Sequence, residues 1–203
     1  MIRSTYAMPE RMNRSSLLAR GAVLLGSATA IGTLAAPAKA AIPDSDLAYL
    51  RLLIAIELLK IDYGARASAA RELRPGPRDL VRRARGDDTR HYVGLAALLN
   101  GAGQTPATGD DVDFSYRRGS FATPVAIAKL GRELAMLAVS AYLGALENVQ
   151  TSELRRPLAQ IAANEAQQAG AYGQLLGGRV VGSPFAPSLQ IDAVSAALDK
   201  YES

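Results

Sequence analysis

Cysteine and tryptophan are absent from this chain, phenylalanine occurs three times and histidine once, at position 91. Without cysteine there is no thiolate nucleophile, no sulfur ligand for a metal and no disulfide from which to read a redox compartment. With one histidine, no nucleophile–base–orienter pattern stands out, and no glycine-rich loop follows a strand to cradle phosphate. β-Branched runs are short and unalternating, so strands are not expected. Long apolar runs are missing too. The stretch of small and apolar residues from Gly21 to Ala36 falls short of the roughly twenty residues that a membrane span needs.

The charge is unevenly placed. The formal net charge is +4 and the pI is near 9.5. Residues 1–40 carry five of the 23 basic groups (Arg3, Arg11, Arg14, Arg20, Lys39) and one of the 19 acids, Glu10, leaving 18 of each beyond residue 40. A near-neutral remainder lacks the electrostatic footprint of nucleic-acid binding, so no nucleic-acid partner is expected. Arg11, Arg14 and Arg20 ahead of the Gly21–Ala36 stretch, with Ala38-Lys39-Ala40 as a small-x-small cleavage site, read as an export signal. The expectation is removal of residues 1–40, a mature domain over 41–203, and a periplasmic or secreted location. No cysteine follows the site to make a lipoprotein.

Beyond the signal, apolar residues recur with helical period. Helices are expected over Asp46–Ala70, capped by Asp44 or Ser45; over Arg78–Asn100, after a Pro75-Gly76-Pro77 break and before a left-handed stop at Asn100-Gly101; and from Thr123-Pro124 to Asn148. A fourth runs over Ser152–Leu176, stopping at Gly177-Gly178, and a short amphipathic one over Ser188–Lys200. Tight first and third links with a long connection over 101–122 predict an all-α, antiparallel four-helix bundle with a crossover between helices 2 and 3. Phe114, Tyr116 and Phe121 are placed to anchor that crossover along the bundle side, and the short helix to pack across one end.

Each long helix carries one acid on its apolar stripe: Glu57, Asp88, Glu133 and Glu165, with His91 and Gln168 three residues after the second and fourth. A carboxylate facing a core is costly unless paired, protonated or bound to a cation. Residues spaced i, i+3 point the same way from a helix, so one ion can take both Asp88 and His91, and a carboxylate from a neighbouring helix can bridge two ions.

The segments AIELLKIDYGA (with Glu57), DDTRHYVGLAALL (Asp88, His91), GRELAMLAVSAYLGAL (Glu133, Tyr142), IAANEAQQAGAYGQLL (Glu165) and the closing DAVSAALDKY resemble the ferritin-like superfamily. Within it, they are most similar to exported bacterial ferritin-like domain proteins akin to desiccation-related proteins. The resemblance covers residues 44–200. It implies a ferritin-like bundle in which Glu57, Asp88, His91, Glu133 and Glu165 are ligands for iron or manganese that act on oxygen or peroxide. Two positions depart from the pattern: Asp88 stands where glutamate is usual, and Gln168 where the second histidine is usual. These departures keep a second expectation open, a non-catalytic envelope or stress protein that has lost the site, its acids satisfied by Arg51, Arg90, Arg132 or tyrosines. On the metal reading, Glu133→Ala is expected to abolish binding.

Two further features are weaker. Arg78, Arg82 and Arg85 share a helical face, which reads as a solvated surface or as a dock for an anionic envelope polymer or lipid headgroup. Asp110, Asp111 and Asp113 lack the glycine and glutamate of a calcium loop and read as caps and solubilising groups.

Overall fold

The computed structural model describes residues 41–178 and 186–201; the expected signal lies outside the described residues. Four long helices form the body: α1 (Asp44–Ala69), α2 (Pro75–Gly101), α3 (Pro124–Asn148) and α4 (Ser152–Leu175). A short α5 (Ile191–Leu198) follows, running into a 3-10 turn at Asp199–Tyr201. No strand occurs among the described residues, as expected. No helix among them is long and apolar enough to cross a membrane.

α1 pairs with α2 and α3 with α4 as two hairpins, joined chiefly where α1 packs on α3; α2 and α4 meet only sparingly. α1 is therefore enclosed on nearly every side, and every residue from Leu52 to Lys60 is buried. A helix that is apolar all round belongs inside a protein. Its two polar residues in that stretch, Glu57 and Lys60, are one turn apart and share a face.

Several boundaries differ from expectation for identifiable reasons. Pro75-Gly76-Pro77 opens α2 instead of preceding it, because the first-turn N–H groups of a helix have no intrahelical acceptor and proline loses nothing there. The left-handed residue after α2 is Gly103 (φ 72°), not Gly101. Pro43 precedes α1 without a side-chain cap. Asp46 instead reaches across to the start of α4, accepting from the backbone N–H groups of Gln150 (3.0 Å) and Thr151 (2.8 Å). Burial opposes its charge, but those hydrogen bonds hold its carboxyl below the usual range. Thr123 caps α3 as expected, accepting from Ala126 N at 3.1 Å.

The crossover lies along the bundle. Phe114 is buried, Tyr116 donates to Asp62 Oδ2 (2.8 Å), and the Phe121 ring packs 6.1 Å from that of Tyr63. Asp111 accepts from Thr108 N and Oγ1 at 2.8 Å, closing a capping box around a 3-10 turn. The C-terminal segment runs along the α1–α3 groove and not across one end. Leu189 N donates to Ser140 O (2.9 Å), and a Cβ on Gly144 would meet Leu189 O at 1.9 Å, so glycine is what permits the approach. More than a turn later, Tyr201 reaches back to Glu133 on the same helix.

Candidate metal centre

At the middle of the bundle, Glu57 (α1), Asp88 and His91 (α2) and Glu165 (α4) converge, with one ligand-type atom from each lying within 4.8 Å of the others. Glu57 and Glu165 are fully buried and Asp88 nearly so. The i, i+3 spacing of Asp88 and His91 directs both side chains off α2 towards the same point. The structure thus brings together four of the five residues expected from sequence.

Glu133 is not among them. It is exposed on the far side of α3, accepting from Tyr201 Oη at 3.0 Å. The inward stripe of α3 is Ile127, Gly131, Leu134, Ala138, Tyr142 and Ala145, and Glu133 sits one residue off it. One residue is about 100° of rotation in a helix with 3.6 residues per turn. Alanine and glycine surround α3 on most sides, so a chosen stripe and its neighbour look alike in sequence, and the expectation that Glu133→Ala abolishes metal binding falls with the misplaced stripe. From α3 the centre instead receives Tyr142, fully buried, whose hydroxyl donates to Glu57 Oε1 at 2.5 Å. Burial and the Glu57 carboxylate push its phenol well above the ordinary range, so it stays a neutral donor.

The residue that sequence reasoning missed is Lys60. Lys60 is 2% exposed, and its ammonium donates to Asp88 Oδ1 at 2.8 Å and to Glu165 Oε2. Burial disfavours this charge, but Glu165, Glu57 and Asp88 together overcome it and raise the pKa above its usual value. None of Arg51, Arg90 and Arg132 satisfies the acids: Arg51 donates to Gln104 Oε1 (2.6 Å), Arg90 pairs with Asp87, and Arg132 is exposed. The signal for Lys60 was its position three residues after Glu57 inside an otherwise apolar run.

Gln168, in place of a histidine, donates through Nε2 to Asp88 Oδ1 (2.9 Å) and to Asn164 Oδ1 (3.1 Å). Burial pushes the Asp88 carboxyl up to about 7, against the pull of Lys60. In Glu165 the balance falls the other way: burial raises it, but Lys60 and His91 hold it below the usual range.

Four buried atoms in this centre have no hydrogen-bond partner: Glu57 Oε2, His91 Nδ1, Glu165 Oε1 and Gln168 Oε1. The first three face one another, His91 Nδ1 lying 3.6 Å from Glu57 Oε2 and 3.2 Å from Glu165 Oε1. Orphaned polar atoms in a core are rare and call for a physical partner: a proton on His91 Nδ1 would supply one to Glu165 Oε1, and with neutral His91 a cation at the shared point would serve all three. Two carboxylate oxygens and an imidazole nitrogen form a donor set that suits iron, manganese or zinc. The residues present therefore fit one such ion at this point.

The arginine face of α2 is divided. Arg78 folds back to donate to Ala70 O at 2.9 Å, while Arg82 and Arg85 remain exposed.

No curated protein matches the chain significantly. A ferritin-like domain profile matches residues 45–178, from the start of α1 to just beyond α4. That span holds all four converging residues, and over two helical hairpins joined by a long crossover the chain belongs to the ferritin-like domain family.

Proposed function

We propose that this is an exported ferritin-like protein that binds iron or manganese in the bundle core through Glu57, His91 and Glu165. One observation carries the reading: a buried imidazole nitrogen and two buried carboxylate oxygens, none with a hydrogen-bond partner, face one another in the core. A bound redox metal would supply one-electron chemistry towards oxygen or peroxide. The chain's own residues set the conditions for it. Tyr142 orients Glu57 through Oε1, which leaves Oε2 turned to the shared point. Gln168 and Lys60 both donate to Asp88 Oδ1, which occupies that oxygen. His91 is the least buried of the four, with 12% of its side chain exposed, and marks the edge through which small molecules would arrive.

The export part of the reading rests on residues 11–40, and intact mass of the protein from cell envelopes, with residues 1–40 missing, is its test. Envelope docking through Arg82 and Arg85 belongs to the same reading, tested by retention on anionic vesicles. For the centre itself, elemental analysis and thermal melts with and without added iron or manganese decide. Bound metal, or a midpoint raised by it, is the expected result. Protein that carries no metal and gains no stability from either ion overturns the reading in favour of a bundle whose core is neutralised internally, a non-catalytic envelope protein.

A further inference from the structure

We infer that the Lys60 ammonium is a built-in cation standing where a second metal ion would otherwise sit, so that this centre takes one metal ion and not two. The inference rests on the metal-binding reading above and adds a stoichiometry that the reading alone does not fix. It follows from the two ends of Glu165. Its Oε1 is orphaned and faces His91 Nδ1 and Glu57 Oε2, while its Oε2 accepts from Lys60 Nζ. A carboxylate that offers one oxygen to each of two cations is a bridge, and here one of the two cations is an amine.

The remaining contacts fit the same assignment. Asp88 Oδ1, the other oxygen expected to bind metal from this side, accepts from Lys60 at 2.8 Å and from Gln168 at 2.9 Å. A histidine at 168 would offer a nitrogen lone pair to an ion; the Gln168 amide offers hydrogens to Asp88 instead. Asp88 Oδ1 is thus taken up by two donors, and Gln168 turns its hydrogens to Asp88, leaving its amide Oε1 as the partnerless atom on this side. Charge closes the account. With Glu57, Asp88 and Glu165 all ionised, three buried carboxylates and one ammonium leave two negative charges, the amount that one divalent ion neutralises when His91 binds it as a neutral imidazole. A second divalent ion beside Lys60 would reverse the sign of the core.

Manganese(II) titration of the purified protein, read by electron paramagnetic resonance and elemental analysis, tests this. The wild type should take up one equivalent per chain with the hyperfine pattern of an isolated ion. Lys60→Glu, which exchanges the amine for a carboxylate one turn from Glu57, should take up two equivalents and give the spectrum of an exchange-coupled pair. Lys60→Met, uncharged and similar in length, is the companion variant. It should bind its first ion at least tenfold more tightly than wild type, since a cation is gone from beside the site; circular dichroism of both variants checks the fold. Two equivalents in the wild type would overturn the inference while the metal-binding reading stands, and this result needs no variant. A single equivalent in folded Lys60→Glu would overturn it as well. No manganese, iron or other divalent ion bound by the wild type would be the failure of the underlying reading.

Discussion

The two hairpins of the bundle serve its centre unequally. α1–α2 supplies Glu57, Lys60, Asp88 and His91, whereas α3–α4 supplies one ionised group, Glu165, with the neutral Tyr142 and Gln168 as its other contributions. Glu57 and Glu133 make the contrast concrete. Each is the lone acid in an apolar stretch of its helix, yet Glu57 is fully buried and Glu133 is exposed. What separates them is enclosure. α1 has neighbours on nearly every side, so any polar group on it must find its partner inside; α3 keeps one face open, and its acid turns there.

The largest test of that contrast compares two glutamates. Glu165→Leu leaves the Lys60 ammonium buried with only Asp88 in direct contact, and should cost about 3–5 kcal/mol, as for other broken buried pairs. Glu133→Ala loses one hydrogen bond from Tyr201 at the surface, about 1 kcal/mol or less, and should leave metal binding unchanged. Urea denaturation of the metal-free proteins measures both.

The second test is pH, again on metal-free protein. Burial works against a charged His91, but Glu165 and Glu57 raise its pKa to about 9 in the fold, against an ordinary 6.5. A raised histidine contributes stability that is fully present below pH 6.5 and lost as pH rises through 9. Asp88, raised to about 7, slopes the same way over lower pH, because the folded state holds its proton longer than the unfolded chain does. Stability should therefore fall by on the order of 2–3 kcal/mol between pH 6 and pH 9.5. His91→Gln should flatten most of that slope in thermal melts.

Much of this arrangement was legible beforehand. Helical period, the Thr123-Pro124 start and the long crossover fix the bundle, and the i, i+3 pair Asp88/His91 marks the centre. Two things were not. α3 is so rich in alanine and glycine that its inward stripe could be assigned one residue away, which misplaced Glu133. Lys60 was passed over because lysine in a helix is ordinarily a surface residue, and only the enclosure of α1 by its neighbours forces it inward.

Smaller effects separate the hairpins by packing. On α3, a Cβ at Gly131 would meet Tyr63 Oη at 2.5 Å and the Tyr172 ring at 2.6 Å, so Gly131→Ala should overpack the core and cost about 1–3 kcal/mol. On α2, Gly94 has nothing within 4 Å of such a Cβ, and Gly94→Ala should stabilise the helix by about 0.5–1 kcal/mol. Thermal midpoints moving in opposite directions would match the account.

The central claim, that an amine and a metal ion divide this centre between them, is tested most directly by crystals grown with manganese(II) and measured for anomalous scattering at its absorption edge. The account predicts one peak among Glu57 Oε2, His91 Nδ1 and Glu165 Oε1, with Lys60 Nζ still between Asp88 and Glu165. Two peaks bridged by Glu165, with Lys60 swung out of the core, would contradict it.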